Sequence, residues 1–329
     1  MIIPKKLQKG DEIRVIAPSL SLSLVSETNV QLAKEKLEDL GFIVTFSKNC
    51  KERDIMISSS VKSRIDDIHE AFSDKNVKAI FTIIGGFNSN QLLKYLDYDL
   101  IRSNPKIFCG YSDITAIANA ITHKTDIITY SGLHFSTLAM QKESEYNIEY
   151  FKKCLTSNDG FSVEPSKTWS DDAWYIDQEN RDIKENLGYL IINQGEAHGK
   201  ILGGNLCTFN LLKGTEFMPD IKDSIFFIED DDATGDNFSV EFDRNLQSLI
   251  HQPNFNTVRA LLIGRFQKNV DITEEKLRYI LQTKEELNNI PIIANVDFGH
   301  TNPMITFPIG GIAKISVKNN KVDFRIIEH

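Results

Sequence analysis

The sequence predicts an α/β protein, with a mostly parallel sheet covered by helices on both faces in its first part and a β-rich domain in its last. Three observations predict this. Over residues 1–160, short apolar runs alternate with segments of helical periodicity, the pattern of repeated βαβ units. Over residues 196–329, strand-like runs dominate and end in two alternating segments around Asn319-Asn320-Lys321, which reads as a hairpin. Between them, residues 161–195 lose the pattern. This stretch is polar and acidic, carries both tryptophans of the chain, and reads as a linker or excursion between domains.

The elements follow in order. "EIRVIAPS" is a strand. "SETNVQLAKEKLEDLG" is a helix: Ser26 caps it, Leu32, Leu37 and Leu40 share a face, and Gly41 ends it. "FIVTFS" is a strand and "SVKSRIDDIHEAFSD" a helix. "VKAIFTII" is a buried strand that runs into Gly85-Gly86 and the helix "NSNQLLKYLD". "KIFCG" is the next strand, followed by a helix from Asp113 to His123, with Ile114, Ile117, Ala118 and Ile121 at the i, i+3, i+4, i+7 spacing of one buried face. "DIITYSG" closes the first domain's sheet. The second domain offers "GKILGGNL", "SIFFIED", "VRALLIGRF", "IPIIANVDFG" and "GIAKISVKNNKVDFRII". In a parallel sheet covered on both faces, ligands bind at the carboxyl ends of the strands. Gly85-Gly86, Ser112 and the Ser131–His134 turn all follow strand ends, so one rim can hold them together.

Composition narrows the function classes. With 329 residues and 41% hydrophobic content the chain can bury a large core. A formal net charge of −9 argues against a nucleic-acid polymer as partner and against a polybasic membrane surface. No apolar run approaches the roughly 20 residues of a membrane span, and the N-terminal stretch has no apolar segment of a signal peptide. The four cysteines, Cys50, Cys109, Cys154 and Cys207, are scattered without a CxxC pair. They fit reduced thiols in the cytoplasm rather than disulfides or a zinc site.

The stretch "IFCGYSDITAIANAI" holds the first candidate. Ser112 stands after Gly110, at a strand-to-helix turn. It either caps the helix or is a nucleophile held up on a tight elbow, although Ile114 stands where the second glycine of G-x-S-x-G would be. A nucleophilic serine needs a base and an orienting acid. Of the seven histidines, His134 and His300 follow strand ends, and His300 lies in a loop held by Pro303 and Pro308. "IFFIEDDD" supplies the acid. Glu229 ends the apolar run and shares a strand face with Asp231, while Asp230 points away and the rest of the run fits a solvated loop. Backbone N–H groups at Gly85-Gly86 and Asp113 can hold a developing oxyanion. The glycine spacing fits neither a phosphate loop nor a dinucleotide fingerprint.

"GGFNSNQLL", "FCGYSDITAIANAI", "GKILGGNL", "FFIEDDD" with "FDRNL", and "FGHTNPMITFPIGG" occur in an order that resembles the LD-carboxypeptidase family of serine peptidases over nearly the whole chain. "WSDDAWYIDQENR" and "GGFNSN" resemble its branch of microcin C self-immunity peptidases. The resemblance implies a catalytic Ser112–Glu229–His300 triad and an oxyanion hole from the backbone of Gly86 and Asp113. It implies a flavodoxin-like or glutaminase-like N-terminal domain, a β-rich C-terminal domain and a site between them. It further implies no metal, no organic cofactor, a cytoplasmic location and a homodimer. The implied substrate is a small peptide or peptidyl-aminoacyl nucleotide, the alternative a murein tetrapeptide.

Four side chains remain open as substrate contacts. Arg244 is either a cation for a terminal carboxylate or part of a structural ion pair. Trp169 and Trp174 either stack on a nucleobase or anchor the polar segment. His134, in "SGLHFS", lines the pocket or is inert. Two rival functions stand beside the hydrolase: a thiol enzyme using Cys109, and a non-catalytic module that sequesters a toxic peptide-nucleotide.

Overall fold

The computed structural model describes residues 1–329. In the first sheet the strands are β1 (Glu12–Ile16), β2 (Ile43–Phe46), β3 (Val77–Thr82), β4 (Ile107–Cys109) and β5 (Thr129–Ser131), joined by helices α1 (Glu27–Asp39), α2 (Val61–Ser73), α3 (Tyr98–Ser103) and α4 (Thr115–Thr125). Helices α1 and α2 start at serine caps. Ser26 accepts the amide of Asn29 at α1, and Ser60 that of Ser63 at α2. The five strands are parallel, in the order β2-β1-β3-β4-β5. That doubly wound order reverses between β1 and β3, so a crevice opens at their carboxyl ends.

After α5 (Glu145–Leu155) come β6 (Phe161–Ser162), β7 (Thr168–Trp169), β8 (Lys184–Glu185) and β9 (Leu190–Asn193). The second sheet is then built from β10 (Gly195–Asn205), β11 (Ser224–Glu229), β12 (Ala260–Gly264) and β13 (Ile292–Val296), with α6 (Leu206–Asn210), α7 (Phe238–Ile250) and α8 (Glu274–Gln282) between them. Finally come β14 (Phe307–Ile309), β15 (Ile312–Lys318) and β16 (Lys321–Glu328). The order is β6-β16-β15-β10-β11-β12-β13-β9. Its centre, β10 to β13, is parallel, and its margins are antiparallel, including the expected hairpin β15–β16. The β-rich half therefore carries its own parallel core.

Three details differ from the periodicity. The "NSNQLLKYLD" helix is a 3-10 segment, Ser89–Tyr95, followed by α3. Residues 161–195 are not a detached linker, because β6 and β9 are the two edges of the second sheet. And β14, deep in the expected second domain, pairs antiparallel with β5 at the edge of the first sheet, Phe307 opposite Ser131. The two sheets thus share one hydrophobic core. No helix is long and apolar enough to cross a membrane.

Candidate active site

β4 ends at Cys109, and the chain passes through Gly110 and Tyr111 into one 3-10 turn, Ser112–Ile114, before α4 begins. Ser112 has φ +59°, in the left-handed region that costs a residue with a Cβ roughly 1–2 kcal/mol. Its side chain does not cap the helix. Neither the 3-10 turn nor α4 has a side-chain cap bond, and Ser112 Oγ lies 3.0 Å from His300 Nε2 instead. Ser112 is half-buried on the turn and does not cap the helix.

His300 follows β13 in a loop tied down at several points. The backbones of Ser170 and Asn302 exchange two hydrogen bonds of 2.7 Å, and the amide of Met304 donates to Asn147 Oδ1 at 2.8 Å. Glu229, the last residue of β11, is 3% exposed and places Oε2 2.7 Å from His300 Nδ1. An ionised carboxylate only accepts, so Nδ1–H donates to Glu229, and in the neutral ring Nε2 is left to accept from the Ser112 hydroxyl. Burial alone would lower the pKa of His300. The Glu229 carboxylate outweighs it by charge and hydrogen bond, Asp231 and Asp230 add to it, and the result is a pKa raised to about 9. This chain of three side chains can move a proton off Ser112 while holding the imidazolium that results.

The rest of the acidic run separates by position. Asp230 is buried, and burial followed by the charge of Glu229 pushes its carboxyl up to about 7. Asp231 has Oδ2 3.9 Å from His300 Nε2, longer than a hydrogen bond. Asp232 starts a short 3-10 segment on the cleft wall.

Gly86 has φ +147°, and a Cβ there would lie 2.3 Å from Ser19 Oγ, so only glycine fits this turn. Its N–H donates to no protein acceptor, and Gly86 and Ser112 line one small cavity of about 140 Å³. Asp113, expected to contribute its backbone N–H, also has a side-chain role that the sequence did not signal. Its carboxylate accepts from Ser19 Oγ at 2.6 Å and from the amides of Asn88 and Ser89 at 3.0 and 2.9 Å. It thereby pins the Gly86 loop against the Ser112 elbow.

On the other side of His300 opens a cleft of about 630 Å³, lined among others by Tyr111, His134, Trp174, Lys268 and Asn302. The segment expected as an excursion forms one wall, through Asp171 to Tyr175 and Asp182. Trp174 is on that wall and 8% exposed. Trp169 is not. Its ring lies under the Arg265 guanidinium at 4.9 Å and beside Lys268 Nζ at 5.8 Å. Arg244 is not brought to the cleft either. It lies on the exposed side of α7 in an i,i+3 pair with Glu241 at 2.9 Å, and the lysine in the cleft wall is Lys268, a residue the sequence did not single out. Cys109 is buried in β4 with its thiol pKa pushed well up by burial, which removes the thiolate that the thiol mechanism needs. Asn205 ends β10 opposite Glu229, and its buried Nδ2 has no partner. No group of three or more His, Cys, Asp or Glu is arranged to hold a metal ion.

Comparison with known proteins agrees with this architecture. The model of the LD-carboxypeptidase N-terminal domain matches residues 13–132, and that of the LD-carboxypeptidase C-terminal domain matches residues 198–315. The chain is 52% identical over 310 residues to YocD of Bacillus subtilis, which carries a carboxypeptidase name, covering 94% of each chain. It superposes on an MccF-like protein from Bacillus anthracis with a TM-score of 0.99 at 56% identity, over 100% of both chains. It is 29% identical to the microcin C7 self-immunity protein MccF of Escherichia coli, over 98% of this chain and 95% of that one. A structure of MccF in complex with aspartyl sulfamoyl adenosine superposes with a TM-score of 0.88 at 28% identity, over 100% of this chain and 99% of that one.

Proposed function

This chain belongs to the LD-carboxypeptidase family, and we propose that within it the protein is a serine hydrolase that cleaves an amide bond of a small peptidyl-aminoacyl nucleotide. The observation that carries the reading is the unbroken run from Ser112 Oγ to His300 Nε2 at 3.0 Å and from Nδ1 to Glu229 at 2.7 Å, assembled from both sheets at the mouth of a cleft. His300 takes the proton of Ser112 as Oγ attacks the carbonyl. Glu229 holds the imidazole tautomer and offsets the imidazolium charge. The N–H groups of Gly86 and Asp113 hold the oxyanion, each such donor being worth about 10²–10³ in rate. His300 then protonates the leaving nitrogen, and water attacking the acyl-enzyme restores Ser112.

Trp174 supports a nucleotide in the leaving group. Its indole stands on the wall of the same cleft, and MccF, of similar fold, has been captured with aspartyl sulfamoyl adenosine. The test is mass spectrometry of products from an aminoacyl sulfamoyl adenosine and from a murein tetrapeptide. Release of the free amino acid and sulfamoyl adenosine over many turnovers supports the reading. Cleavage of the tetrapeptide alone replaces it with the cell-wall alternative. Stoichiometric binding without turnover of either replaces it with the sequestering module.

A further inference from the structure

One guanidinium is buried in the first domain with no carboxylate bonded to it. Arg64, in α2, is 2% exposed. Burial lowers its pKa, and the more distant charges of Asp54 and Asp113 oppose that shift. Burying a charge in this way is unfavourable unless its N–H groups are well used. Their acceptors show the use. Nη1 is shared among the carbonyl of Pro18 at 3.2 Å and the carbonyl and Oδ1 of Asn88, both at 3.1 Å. Nη2 donates to Gln91 Oε1 at 2.8 Å. One side chain thus joins two loops. One follows β1, and the other runs from β3 through Gly85-Gly86 into the 3-10 segment Ser89–Tyr95.

Both loops lead to the groups assigned to the oxyanion. Pro18 precedes Ser19, whose Oγ is the atom a Cβ on Gly86 would strike and which donates to the Asp113 carboxylate at 2.6 Å. Asn88 lies two residues after Gly86. It opens the 3-10 segment without capping it, which leaves Oδ1 to the guanidinium, and its amide donates to Asp113 at 3.0 Å. The backbone is braced as well: the Leu20 amide donates to the Gly85 carbonyl at 3.2 Å, and Ser89 Oγ to the Asp113 carbonyl at 2.6 Å. Gly86 has no side chain and an N–H without a protein acceptor, so its neighbours set where that N–H points. Arg64 bonds those neighbours on both sides of the turn.

We propose that Arg64 is a positioning residue for the oxyanion hole, its guanidinium acting through Asn88 and the Pro18–Ser19 loop to fix the Gly86 N–H against Ser112. It touches no substrate. The proposal rests on the hydrolase reading and adds the group that keeps its oxyanion site in shape. The acceptors lie in two directions, which suits a planar fork of donors and not the point charge of a lysine.

Labelling of Ser112 by an alkyl fluorophosphonate, followed by intact-mass spectrometry, tests this without a natural substrate. Oγ displaces fluoride, His300 takes the proton, and a phosphoryl oxygen sits in the hole, so the rate reads the base and the hole together. Labelling of the unmodified protein at Ser112 is scored first and judges the hydrolase reading. The ratio of variant to parent rate judges the proposal. Arg64→Met labels about 10- to 100-fold more slowly, with the midpoint of its pH dependence unchanged because His300 and Glu229 are untouched. Arg64→Lys keeps the charge without the fork and stays at least about fivefold slow. Asn88→Ala is slowed too, and the protein carrying both Arg64→Met and Asn88→Ala stays within about threefold of the slower single variant, because the two act in series. A merely structural role would lower thermal stability and leave the folded protein labelling at the parent rate. Parent-like labelling by Arg64→Met, a shifted pH midpoint, or fully additive losses overturns the proposal. If Arg64→Met does not fold, Asn88→Ala, at a half-buried position, decides, and parent-like labelling by that variant overturns it.

Discussion

Gly85 and Ser112 are in such close approach that a Cβ on Gly85 would lie 2.9 Å from Ser112 Cβ and 3.0 Å from its Oγ. The end of β3 and the elbow after β4 have closed until only a hydrogen fits between them. Gly85→Ala therefore has to move Ser112, whose backbone is already in the left-handed region. A shift of about 1 Å in a reacting atom costs on the order of 10²-fold in rate. We expect Gly85→Ala to lower kcat/KM by about that factor with the protein still folded by circular dichroism. Activity within threefold of the parent would mean that the elbow is not held by this contact.

Ser112→Ala and His300→Ala should each lower turnover by roughly 10⁴–10⁶, and the double variant should be little worse, since groups acting as one unit are not additive. Retention of more than a tenth of the activity by Ser112→Ala would sink the serine mechanism.

Within the acidic run the largest loss should come from Glu229→Gln, whose carboxylate is 2.7 Å from His300 Nδ1. Asp231→Asn, at 3.9 Å from the other ring nitrogen, and Asp230→Asn should stay within about tenfold of the parent. Steady-state kinetics on the three variants decide this. Equal damage from Asp231→Asn would move the orienting role away from Glu229.

The pH profile follows from His300. A general base acts in its neutral form, and burial loses to the Glu229 carboxylate in setting its pKa at about 9. kcat/KM should therefore rise about tenfold per pH unit below that value and level off above it. Glu229→Gln removes the charge that raises the pKa, so its rising limb should move to lower pH while its plateau falls. A limb that stays in place in Glu229→Gln would contradict the assignment.

Trp174→Ala should weaken the use of nucleotide-bearing substrates by about 1–3 kcal/mol, roughly 5- to 150-fold in kcat/KM, and plain peptides far less. Trp169→Ala should separate the substrates little, because its ring is occupied by Arg265 and Lys268 rather than turned to the cleft. Parallel assays on both substrates check this, and an equal loss on both with Trp174→Ala would make that residue structural.

The sequence by itself determined the alternation of strands and helices in the first sheet, the terminal hairpin and the strand ends carrying Gly86, Ser112, Glu229 and His300. These are readable because periodicity, caps and turn residues act over a few neighbours along the chain. What only the tertiary structure decided depends on partners far apart in sequence. Residues 161–162 and 190–193 are strands because the edges of a sheet offer them unpaired backbone groups, and such short segments carry little periodicity of their own. Nothing near Asp113 in sequence announces that its carboxylate will collect Ser19, Asn88 and Ser89. The two tryptophans, five positions apart in one polar stretch, were equivalent as sequence. They became unlike when the loop folded back, Trp174 onto the cleft and Trp169 under a guanidinium. Arg244 looked available until α7 placed it on an exposed face beside Glu241. A side chain's type can be read locally, but what it faces is set by the packing of whole elements, and that packing assembles the site.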